Sequence, residues 1–210
     1  MSFKISQKQK GILSLISTCF FFLVLGSIYI WGNISIYVSS YYKNVSSDKG
    51  SIVFPISALF SNVCVFLSFP IVKLIGFRAF LIGTTLLLFG FLFGSSFCPS
   101  FWSFFFCFGI GFCGGSGFLY LTLLYNTYKY YPSKRGVIGG LVVGFYGISP
   151  LIANYILLVL INPYNIDAIQ DPINKEYTFP DEIAERLPSA MRSLSYFFCR
   201  IDVYWKSPSI

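Results

Sequence analysis

Five apolar runs, each about as long as a membrane is thick, take up most of this chain. They lie at about residues 12–37, 52–72, 79–98, 101–124 and 137–161, and none holds an acidic or basic residue. An α-helix needs about 20 residues to cross the hydrocarbon core of a bilayer. No water is available there, and a helix meets that demand by pairing its own backbone N–H and C=O groups. Runs of this length and number predict an all-α membrane protein.

Composition supports this. Charged residues make up 11% of the chain and hydrophobic ones 55%, whereas a soluble domain carries about 25% charged residues. Twenty-five Phe and fifteen Tyr among 210 residues suit a surface that faces lipid. The first run follows Lys4, Lys8 and Lys10 but far exceeds the roughly 7–15 apolar residues of a secretory signal, and no small-residue cleavage site follows it. It is expected to stay as a membrane helix.

Loop charges give an orientation. Lys4, Lys8, Lys10, Lys73, Arg78, Lys129, Lys134 and Arg135 fall before the first run or in alternate loops. The first two opposite loops hold Lys43 and Lys49, while Cys98-Pro99-Ser100 carries no charge. Basic residues accumulate on the cytoplasmic side, so the N-terminus is expected there. Asn44-Val45-Ser46 would then face the other side as a possible glycan acceptor. Beyond the fifth run, residues 163–187 carry Asp167, Asp171, Glu176, Asp181, Glu182 and Glu185 against Lys175 and Arg186. A sixth apolar stretch begins near Leu187 and is interrupted by Arg200 and Asp202. The expected division is a cytoplasmic segment over 1–11, a five-helix membrane region over 12–161, an acidic non-cytoplasmic loop over 162–187, and an incomplete sixth helix with a tail over 188–210.

Several functional classes drop out. The chain has no His, so a His-based triad or general base is impossible. Cys19, Cys64, Cys98, Cys107, Cys113 and Cys199 form no C-x-x-C pair, so a usual zinc site is not expected. They read as small hydrophobes in apolar helices. No basic stripe marks a nucleic-acid partner. No cofactor and no enzymatic activity are expected. Gly109 to Gly114 matches G-x-G-x-x-G, but its flanks are Phe-rich helix rather than the strand and helix of a dinucleotide site.

The glycines have a better use. Gly111 and Gly115 are four apart, as are Gly136, Gly140 and Gly144, with Gly147 near the same face. Such spacing lets helices approach closely in lipid. It also suits an interface that slides when a transporter rocks. Pro150 removes the hydrogen bond to the Tyr146 carbonyl and is expected to bend the fifth helix, with Ser149 placed to satisfy a freed carbonyl. The polar residues inside the runs that could line a substrate path are Tyr29, Trp31, Asn33, Tyr120 and Asn154.

The stretch from Gly109 to Ser149, with Tyr131-Pro132-Ser133-Lys134-Arg135-Gly136 at its centre, resembles the major facilitator superfamily. It is most similar to the oxalate/formate-antiporter and monocarboxylate-transporter-like branch, which has a Gly-rich fourth helix with a Tyr, this kind of loop, and a Gly-rich fifth helix. Gly26 to Gly32 resembles the first helix of that branch, and Phe179 to Arg192 the approach to its sixth. Pro132, Lys134 and Arg135 carry the loop signature. One departure is in the loop between the second and third helices: Gly76 and Arg78 are kept, but Lys73 replaces the customary Asp. The resemblance implies a secondary transporter of small organic anions such as monocarboxylates. It covers the N-terminal half of a two-halved fold, so a transport site would need a second half or another chain. The alternative expectation is a truncated membrane fragment that does not transport and serves only as an assembly or binding partner in the lipid bilayer.

Overall fold

The computed structural model describes residues 6–43, 45, 47–170 and 177–204. Five of its helices are long and apolar enough to cross a membrane: α1 Gln7–Tyr42, α2 Ser47–Ile75, α3 Phe77–Ser95, α4 Phe101–Tyr128 and α5 Arg135–Ile161. A sixth helix, α6, spans Leu187–Tyr204. Between α5 and α6, the two-residue strands β1 Ile169–Gln170 and β2 Tyr177–Thr178 pair antiparallel, followed by a helical turn at Asp181–Ala184. The protein is therefore an all-α, multi-pass integral membrane protein. Asn44 and Ser46 of the glycan motif, and Asp171, Lys175 and Glu176 of the acidic loop, lie outside the described residues.

Local chemistry explains the helix limits. Ser6 caps α1 by accepting from the Gln9 N–H at 3.3 Å, while the Gln9 side chain accepts from the Ser6 N–H at 2.9 Å. This reciprocal pair satisfies two of the donors that every helix start leaves unpaired. Ser100 and Ser103 do the same for α4. A single residue, Gly76, links α2 to α3, with φ 83° and ψ 153°. Only glycine adopts that region without strain of about 1–3 kcal/mol. Gly76→Ala should lower stability by that amount in thermal denaturation of the detergent-solubilised protein. An unchanged melting curve would contradict this linker geometry.

The helices differ in how deeply they are buried. In their most apolar windows α1 and α4 are 61% and 56% buried, against 22%, 28% and 22% for α2, α3 and α5. The two central helices are thus wrapped by the others. α2 packs along α4, α5 along α1, and α3 against α4 and α6. α6 is amphipathic: Leu187, Ala190, Met191, Leu194, Ser195 and Phe198 are buried, and this i, i+3, i+4 spacing makes one apolar stripe. It is a formed helix, continuous through Arg200, but is not among the five apolar spans.

The glycines divide into two groups. On α4, Gly111 faces Phe91 and Gly115 faces Leu88 of α3, while Gly114 faces Phe60 and Gly117 faces the Ser61 carbonyl of α2. A Cβ at Gly117 would overlap that backbone oxygen. These glycines let α4 sit between two neighbours. On α5, by contrast, an added Cβ at Gly136, Gly140, Gly144 or Gly147 would meet nothing within 4 Å. The α5 ridge therefore packs against no other part of the described chain.

Candidate functional site

The site begins with a flaw in two helices. Pro150 lies inside α5 and cannot donate to the carbonyl of Tyr146 one turn earlier. Gly26 of α1 sits directly against that carbonyl and against Ser149, where a Cβ would collide. Ser149 was expected to satisfy a freed carbonyl of its own helix. Its hydroxyl instead donates to the Leu23 carbonyl of α1, which the close approach of the two helices at Gly26 allows. At the same level α1 tightens into a 3₁₀ turn over Gly26–Ile30. Such tightening within a helix often marks a functional hinge. It places Tyr29 beside the crossing.

Three tyrosines converge there, one each from α1, α4 and α5. The rings of Tyr29 and Tyr146 are 5.6 Å apart at 87°, and those of Tyr120 and Tyr146 are 5.3 Å apart at 77°. Phe22 backs Tyr120 at 4.9 Å, and Phe54 of α2 flanks Tyr29 at 5.6 Å. Edge-to-face contacts at these separations suit the ring quadrupoles. The tyrosines line a cavity of about 300 Å³ together with Asn62, Ser61 and Ser116. Tyr29 remains 49% exposed, so the cavity opens to one side of the bundle. No Lys, Arg, Asp or Glu lines it among the described residues.

Its hydrogen-bonding character follows from the local pairing. Asn62 donates from Nδ2 to the Ala58 carbonyl at 2.8 Å, and Ser116 donates to the Phe112 carbonyl at 3.0 Å. Asn62 Oδ1 and Ser116 Oγ can still accept. Each tyrosine hydroxyl can donate or accept. The cavity thus offers hydroxyl donors beside aromatic walls, a setting for a small ligand with an acceptor-rich head.

Of the candidates named from sequence, Tyr29 and Tyr120 come together. Trp31 does not join them. It is 4% exposed, donates from Nε1 to the Gly50 carbonyl at 3.0 Å, and stacks near Phe104 and Phe108. Those two rings and Phe112 form a ladder along α4, through its π-helical stretch Phe105–Phe112. Trp31 is thus an anchor between α1, α2 and α4. Asn33 and Asn154 line a separate cavity between α1 and α5. Pro132, Lys134 and Arg135 form the exposed turn that starts α5. Tyr146 and Asn62 were not singled out from sequence. Tyr146 had one available signal: it lies four residues before Pro150.

Where α1 begins, it is tied to the end of α4 and the turn after it. Thr18 and Thr127 hydroxyls are 2.7 Å apart, Asn126 donates to Ser14 at 3.5 Å, and Gly11 packs against Tyr130 and Tyr131. At the far side, Lys43 ends α1 in a left-handed conformation and donates to Asp181 at 2.8 Å. The hydrogen bond to Asp181, then its charge, raises the Lys43 pKa. On the alkaline side that pairing is therefore kept up to the ordinary lysine range and is lost as pH rises through the raised value.

Fold and cavity together define a polytopic helical membrane protein with a polar aromatic pocket inside the membrane-spanning region. No protein-family model matches the chain, and no curated protein matches it either.

Proposed function

We propose that this chain is the N-terminal half of a secondary transporter of the major facilitator type, carrying small organic anions such as monocarboxylates. The observation that carries this reading is the three-tyrosine cavity, built where the central helices α1 and α4 meet α5 and open on one side. Tyrosine hydroxyls can donate to a carboxylate, which is an acceptor only. The helix arrangement supports the same reading: α1 and α4 are central, α5 packs along α1, α2 and α3 pack along α4, and α6 lies against α3 and α5. The Pro132-Ser133-Lys134-Arg135 turn agrees with the resemblance. Transporter sites of this kind form at the interface of two repeats, so the missing wall of the cavity would come from a second half or another chain. The test is uptake of a radiolabelled monocarboxylate into vesicles holding the chain within its complete assembly. Uptake equal to that of empty vesicles across a panel of small anions would remove the claim.

A second reading has one observation of its own. The Gly136, Gly140, Gly144 and Gly147 ridge meets no neighbour among the described residues, and such ridges serve close helix association in lipid. The chain would then act as a membrane-embedded assembly partner without transport. Under this reading Gly140→Leu with Gly144→Leu should abolish co-purification with a membrane partner while leaving the thermal stability of the chain itself unchanged. Retained co-purification would count against it.

A further inference from the structure

A second cavity, of about 370 Å³, lies between α1 and α5 and is lined by Asn33, Tyr37, Asn154, Tyr155 and Phe179 with aliphatic side chains. Its position relates it to the tyrosine cavity. Asn33 is one turn beyond Tyr29 on α1, about 6 Å along the axis, and Asn154 is two turns beyond Tyr146 on α5, about 12 Å. Tyr37 and Ile161, near the far ends of α1 and α5, line its outer part.

Phe179 sits at that outer end. Its ring stacks on Tyr37 at 4.3 Å and 7°, its N–H donates to Ser40 Oγ at 2.9 Å, and Asp181 pairs with Lys43 at 2.8 Å. Tyr37, Ser40 and Lys43 are three residues apart along one strip of α1. The strap Tyr177–Asp181 is thus fastened to α1 by a ring stack, a hydrogen bond and an ion pair, and the stacked pair Phe179 and Tyr37 is the part of it that lines the cavity.

We propose that the cavity between Asn33 and Asn154 is an outer binding position for the same small ligand, and that Phe179 is its cover. This rests on the transport reading for the identity of the ligand. Each carboxamide supplies two N–H donors and one carbonyl acceptor, and the aliphatic walls suit a short apolar body. The ligand class is therefore a small molecule with a carboxyl or carboxamide head and a short hydrocarbon part. On this view a ligand passes Phe179, pauses at the two asparagines, and moves one to two turns deeper to the tyrosines.

The test uses Leu158→Cys, at a lining position that supplies neither carboxamide, in the complete assembly in sealed vesicles, labelled with a membrane-impermeant maleimide and read by mass spectrometry of the peptide bearing position 158. Adding Phe179→Ala should speed labelling about five- to tenfold, the kinetic equivalent of losing one ring stack. Tyr164→Ala, at an exposed loop position, should leave the rate alone. Should Phe179→Ala fail to fold, Asp181→Asn releases the same strap at its ion pair and should also speed labelling. Acetate and butyrate should slow labelling when the strap is intact. Equal rates with and without the strap contacts would overturn the cover. Labelling that neither acetate nor butyrate slows, in a preparation that transports them, would overturn the binding position. A preparation without transport in which both acids still slow labelling would uphold the outer position and defeat the transport reading alone.

Discussion

Gly117→Leu should disrupt the packing of α2 on α4 and cost the protein most of its folded yield. The nearest atoms to a side chain at this position cannot turn away, although the Ser61 hydroxyl beside them could. They belong to the Ser61 carbonyl, part of the α2 backbone. Relief requires moving the whole helix, which would also disturb the contacts of Gly114 with Phe60 and Cys64. Overpacking a tight contact costs about 1–3 kcal/mol, and more where backbone must shift. The measurement is the fraction of monodisperse protein after solubilisation, with its thermal midpoint. Gly144→Leu is the matched comparison: the same residue change on an equally glycine-rich helix, where nothing lies within 4 Å. Its folded yield should equal that of the parent. If Gly117→Leu behaves like Gly144→Leu, α2 and α4 do not cross this closely.

Removing single hydroxyls from the tyrosine cavity should have the largest functional effect. Tyr29→Phe, Tyr120→Phe and Tyr146→Phe keep the ring contacts at 5.3 to 5.6 Å and delete the hydroxyl, which in Tyr29 and Tyr146 also ends the hydrogen bond between those two residues. A hydrogen bond to a charged group contributes about 1.5–3 kcal/mol, so each loss should weaken half-saturation by about tenfold to a hundredfold. Tyr29 is the half-exposed member, so its hydroxyl is more hydrated and its deletion should fall at the low end. Trp31→Phe should behave differently. It removes the bond to the Gly50 carbonyl and should lower stability while leaving half-saturation unchanged. Three phenylalanine variants with parental affinity would exclude this cavity as the binding site.

The membrane helices are legible in the sequence because lipid is a uniform solvent. A run without charges either spans it or is not stable there, and local composition decides the matter. The apolar runs therefore coincide with α1 to α5 to within a few residues at most ends, with α1 extended by a turn at each end through polar residues such as Gln7 and Tyr42. The capped starts at Ser6 and Ser100 and the break at Gly76 are also local events. The candidate site is legible only in part. Tyr29 and Tyr120 stand out as polar aromatics inside apolar runs. Tyr146 looks no different from Tyr155, which lies on the same helix and is 68% exposed.

The glycine ridges mark the boundary between the two kinds of information. G-x-x-x-G spacing on α4 and on α5 is equivalent in sequence and states only that a helix surface is flat. Whether another backbone lies on that surface depends on how the helices are arranged. On α4 the flat surfaces are filled by α2 and α3; on α5 the ridge is open. The same holds for Trp31 and Tyr29, two residues apart on α1, which the 3₁₀ turn and the α1–α5 crossing send to a buried anchor and an open cavity. Hydropathy, charge and spacing by themselves determined that this chain is a bundle of membrane helices with flat glycine faces. Only the tertiary structure decided which faces meet and which side chains share a cavity, because those contacts join residues that are distant along the chain.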